Sequence, residues 1–152
     1  MSLKDDIQAA ITAAQKDQDA LRLSTLRLML AAIMNAEVAG KEKIELTNDQ
    51  TIDVLRSESK KRAESAEIYE QNGRAESAQK ERAEAAIIAE FLPAAMDDSA
   101  LNAIVAEEVA NAKAAGADGP KAMGVVVKAV RERVGQGADG SRIAAAVKSA
   151  LG

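Results

Sequence analysis

Between Leu21 and Met34 the chain reads Leu-Arg-Leu-Ser-Thr-Leu-Arg-Leu-Met-Leu-Ala-Ala-Ile-Met. Apolar residues fall on nearly every side of a helix drawn through it, the pattern of a helix surrounded by other helices. The stretch also carries Arg22 and Arg27 and is too short to span a bilayer. It therefore requires helical neighbours, and the rest of the chain has the composition to provide them. Hydrophobic residues make up 47% of the sequence, with Ala a large part, and there is one Phe, one Tyr and no Trp. Ala, Leu, Glu, Lys and Arg form helices, and the longest run of β-branched residues is Val125-Val126-Val127. The expected fold class is all-α.

The flanking segments show helical spacing. Leu3, Ile7, Ala10, Ile11 and Ala14 form one apolar stripe ahead of the Leu21–Met34 stretch. After Gly40, Thr47 or Asn48 is a suitable cap for a third helix, whose stripe is Ile52, Leu55, Ser59, Ala63, Ala66 and Tyr69. Asn72-Gly73 suits a left-handed helix end. A fourth helix follows with Ala75, Ala78, Arg82, Ala85, Ala89 and Leu92 in line, and the short turn predicts an antiparallel hairpin. The alternating charges from Arg56 to Arg82 read as a solvated face. Pro93 ends the hairpin, because proline cannot continue a helix and restricts the residue before it.

A domain boundary is expected there: residues 1–92 as an N-terminal helical bundle with a long hairpin, and 93–152 as a small three-helix domain. Asp97 is placed to cap the fifth helix, with Leu101, Ile104, Val105, Glu108, Val109 and Ala112 inward. Pro120 occupies a first-turn position of the sixth. Asp139 is placed to cap the last, with Ile143, Val147, Ala150 and Leu151 inward.

Several function classes drop out. Without Cys or His there is no disulfide, no Cys/His zinc site, and no Ser-His-Asp or Cys-His nucleophile system. Asp97-Asp98 and Glu107-Glu108 are adjacent pairs, which do not share a helix face, so no metal site is expected. No cofactor is expected, and no catalytic residue is assigned. The N-terminus mixes charged and apolar residues and does not read as a signal peptide, so the expected location is cytoplasmic, without membrane contact.

Charge is concentrated at the other end. The whole chain has a net charge of −4, yet from Asp118 onward six Lys/Arg face three acids. On a helical wheel of the sixth helix, Met123, Val126, Val127, Val130 and Val134 group as core. Lys121, Gly124, Lys128 and Arg131 group on another face. A glycine inside a helix costs about 1 kcal/mol relative to alanine. Among three cations it leaves bare backbone for a ligand, or a second helix, to approach. The following Gly135–Gly140 turn feeds a helix N-terminus, but it is neither a Walker nor a Rossmann motif, and Asp139 at the cap would itself occupy the free N–H groups.

The segments Leu21–Ile33, Glu67-Ile-Tyr-Glu-Gln-Asn-Gly-Arg74, Phe91-Leu-Pro93, Lys121-Ala-Met-Gly124 and Gly137-Ala-Asp139, in that order, resemble the YqeY family across essentially the whole chain. The resemblance implies two helical domains shared with the C-terminal region of GatB, a subunit of the glutamine-dependent aspartyl/glutamyl-tRNA amidotransferase, whose tail contacts the tRNA elbow. It implies nucleic-acid contact at Lys121, Gly124, Lys128, Ala138 and Asp139. Gln136 and Gly137 stand where members often have Gly and a basic residue, which shifts phosphate contact toward Lys128, Arg131, Arg133 and Arg142.

The function so implied is a non-catalytic tRNA-binding accessory module, acting beside an aminoacyl-tRNA synthetase or an amidotransferase. Two other expectations stand beside it. One is a carbon–nitrogen ligase using glutamine as amido-N donor, the activity a family label suggests. The other is a protein-interaction module built on the hairpin 47–92.

Overall fold

The computed structural model describes all residues, 1–152, as seven α-helices without a strand. They are α1 (Leu3–Lys16), α2 (Ala20–Glu37), α3 (Asn48–Gln71), α4 (Ala75–Ala89), α5 (Asp98–Ala114), α6 (Gly119–Val134) and α7 (Gly140–Leu151). They form two compact units, Met1–Leu92 and Pro93–Gly152. No helix is long and apolar enough to cross a membrane.

In the first unit the helix starts are set by local chemistry. Ser2 caps α1, and its hydroxyl accepts the N–H of Asp5 while the Asp5 carboxylate accepts the N–H of Ser2. Those bonds hold the Asp5 carboxyl below its ordinary range. Thr47 and Gln50 make the equivalent box at α3. Ile7, Leu26, Met29, Ile33, Leu55 and Ile88 are fully buried together, with Phe91 and Leu92 packed at the margin. Lys4 donates to both oxygens of the buried Glu37 at 2.9 and 3.0 Å, tying α1 to the end of α2.

Two expectations are corrected here. α2 is not enclosed. Leu26, Met29 and Ile33 face the core, but Leu21, Leu28, Met34 and Val38 are 37 to 57% exposed on the opposite side. Three packed neighbours cover only part of the circumference of a helix that is apolar on every side. In the α3–α4 hairpin, Leu55, Ala66 and Ala78 of the expected stripe are buried, but Arg62, Glu84 and Ile88 take the other inward positions, while Ala63, Arg82 and Ala89 face solvent. The stripe departs from expectation there because a paired arginine and glutamate occupy the inward places.

Arg62 Nε donates to Glu84 at 3.2 Å and its Nη1 to Glu58 at 2.8 Å. Burial pushes the Glu58 carboxyl up, but its bonds from Arg62 and Lys61 outweigh that and leave it below its ordinary value. Asn72 closes α3, and Gly73 makes the turn at φ 73°.

The second unit is a three-helix cluster. Asp97 caps α5 by accepting the Ala100 N–H. Leu101, Val105 and Val109 of α5 pack against Val126, Val130 and Val134 of α6 and Ile143 and Val147 of α7. On α6 the buried set is Ala122, Val126, Val130 and Val134; Met123 and Val127 are half-buried flankers. On α7, Ala150 faces solvent instead of the core, because the helix is about to end.

Candidate nucleic-acid interface

One side of α6 is committed to the core, which fixes the direction of the other. Lys121, Gly124, Lys128 and Arg131 all lie on the exposed side, with apolar Val125, 51% exposed, beside them. None of the three cations forms a salt bridge within the chain, and none is hydrogen-bonded to an acid.

The neighbouring basic residues are employed differently. Arg133 Nη1 donates to Glu107 at 2.7 Å and to Glu108 at 3.0 Å, bracing α6 on α5. The Glu107 and then the Glu108 carboxylate hold that guanidinium above its already high range. Arg142 donates to Asp98 at 2.8 Å, joining the starts of α5 and α7. Arg133 and Arg142 are thus internal braces, and the uncompensated positive charge of this face belongs to Lys121, Lys128 and Arg131.

Gly124 is not a packing device within this chain. A Cβ built there meets nothing within 4 Å, and its φ lies outside the left-handed region. The residue therefore leaves exposed helix backbone between Lys121 and Lys128, one turn from each. Gly140 is the opposite case. A Cβ there would come 2.8 Å from Nη2 of Arg131, so its absence lets the guanidinium rest across the start of α7.

The loop between α6 and α7 is internally satisfied. Gly135, at φ 53°, turns the chain into one 3-10 turn over Gly135–Gly137. The Met96 N–H donates to the Gly137 carbonyl at 2.7 Å. Ala138 is 5% exposed and belongs to the core. The Asp139 carboxylate accepts the Arg142 N–H at 2.8 Å and occupies the helix start. With a carboxylate already there, the turn is a brace rather than a phosphate cradle.

Of the eight residues singled out from the sequence, the structure brings Lys121, Gly124, Lys128 and Arg131 onto one open face. It places Arg133 and Arg142 in ion pairs, Ala138 in the core and Asp139 at a cap. The sequence reading did not single out Val125, whose signal was its place on the wheel about 40° from Lys121. Nowhere does the structure gather three acidic side chains that could hold a metal ion.

The face offers cations, one apolar side chain and bare backbone; it does not converge an acid, a base and a nucleophile on one point. Compared with known proteins, residues 4–151 match the family model described as Yqey-like protein. No curated protein matches the chain.

Proposed function

The chain belongs to the Yqey-like protein family, and on that premise we propose that it is a tRNA-binding accessory module without independent chemistry. The single observation that carries this reading is the face of α6. Three cations without internal acid partners flank a glycine whose backbone is open to solvent. RNA helices are recognised largely through phosphates, 2′-hydroxyls and shape. A flat cationic face with a Cβ-free centre suits that surface, because phosphate or ribose can approach the helix backbone itself. No aromatic side chain lies on the face, so base stacking is not part of the reading. An aminoacyl-tRNA synthetase or an amidotransferase bound to the same tRNA would supply the chemistry.

The test is charge reversal at Lys121 and Lys128, measured as binding of total tRNA. Both side chains are exposed and unpaired, so Lys121→Glu with Lys128→Glu should leave the helical content intact. It should weaken binding at least about 10-fold and lower the salt slope by about two. Arg133→Gln is the control: it removes a brace and should change binding much less. Unchanged affinity in the double variant, or a larger loss in the control, would remove α6 from the interface.

A further inference from the structure

Of the nine glycines, Gly140 alone stands where an added side chain would collide. A Cβ there would come 2.8 Å from Nη2 of Arg131 and 3.9 Å from its Cζ, and it would meet no other group within 4 Å. Arg131 sits about 60° round α6 from Lys128. It therefore occupies the edge of the cationic face that turns toward α7, where Gly140 begins the helix.

No acid holds the guanidinium in that place. Glu107 and Glu108 are bonded to Arg133, Asp98 to Arg142, and the Asp139 carboxylate to the Arg142 N–H. The start of α7 carries the positive end of the helix dipole, so the helix does not draw a cation to it either. Arg131 is placed by the room that Gly140 leaves.

That placement has a chemical consequence. A guanidinium is a planar fork that bonds two phosphate oxygens together only when its plane is aimed at them. A free arginine loses rotamer freedom when it is aimed, whereas one already laid in a slot loses less. Lys121 and Lys128 are point charges on flexible, exposed stems, for which aim matters little.

We propose that Gly140 is a positioning residue, whose missing side chain holds Arg131 as a pre-aimed phosphate contact and carries the RNA face from α6 onto the start of α7. The proposal rests on the RNA-binding reading of α6.

A double-mutant cycle on binding of total tRNA to the full chain tests it. Gly140→Ala should weaken binding about 5-fold, and Arg131→Ala at least as much. Adding Gly140→Ala to Arg131→Ala should cost nothing further, because the methyl group acts only through the guanidinium. Helical content and melting temperature should not fall in Gly140→Ala, since alanine suits a helix better than glycine and meets only a movable side chain. Gly140→Ser places the same Cβ and serves as the second variant should the first fold poorly. Nitrogen relaxation at Arg131 Nε, measured without RNA, reads the placement itself. It should report an ordered side chain in the wild type and a mobile one in Gly140→Ala. Equal mobility in the two proteins overturns the proposal. So does wild-type affinity in Gly140→Ala, which would leave α6 alone as the interface. A 5-fold loss that persists in the Arg131→Ala background overturns it as well, since the methyl group would then act on another group. A wild type that binds no tRNA is the failure of the α6 reading, and this proposal falls with it.

Discussion

Lys128 and Arg133 stand five residues apart on one helix and do different work. Arg133 is held by two glutamates of α5, and Lys128 by none. A sequence reading gathers the cations, because their spacing on a wheel is local information. It does not separate them, because the acids that claim Arg133 lie 25 and 26 residues earlier and the one that claims Arg142 lies 44 earlier. Gly124 gives the residue-scale prediction. Nothing stands within 4 Å of a Cβ placed there, so Gly124→Ala should stabilise the chain by about 1 kcal/mol. The same methyl group stands where RNA would meet backbone, so tRNA binding should weaken while the melting temperature rises. A tighter melting curve with unchanged affinity would show that bare backbone is not part of recognition.

At the scale of elements, the α3–α4 hairpin is held at its middle by charge rather than by apolar contact. Arg62 and Glu84 side chains are 11 and 10% exposed. Removing one partner strands the other in a poorly hydrated place. Arg62→Ala should therefore cost about 3 kcal/mol in urea unfolding, and the apolar pair Arg62→Leu with Glu84→Leu should recover most of that. Loss of less than 1 kcal/mol in the single variant would contradict the account of the hairpin.

Acid adds a sign. Glu58 is held below its ordinary value of 4.5, so its bridge contributes fully above that pH and is lost as the pH falls below it. The periodicity of small residues made the hairpin legible in outline. Its inward register was legible at Leu55, Ala66 and Ala78 but not at Arg62 and Glu84, whose pairing shows only when the two helices are laid side by side. The open side of α2 was missed for a related reason: apolar residues all round a helix indicate that neighbours exist, not how many sides belong to the same unit.

At the scale of the molecule, the all-helical architecture followed from composition, spacing and two prolines. The chain forms two compact units, Met1–Leu92 and Pro93–Gly152. The second unit has its own buried cluster across three helices, so residues 93–152 should fold alone with a cooperative thermal transition. At 60 residues its stability should be modest. A fragment without such a transition would show that the first unit is needed to complete it.

The most direct measurement of the central claim is binding of total tRNA to the full chain across a salt series, beside the fragment 93–152. Three phosphate contacts predict that affinity falls roughly 40-fold between 50 and 200 mM salt, with the fragment following the same slope. No saturable binding at 50 mM salt, or binding by the full chain that the folded fragment does not share, would contradict the assignment of RNA recognition to α6.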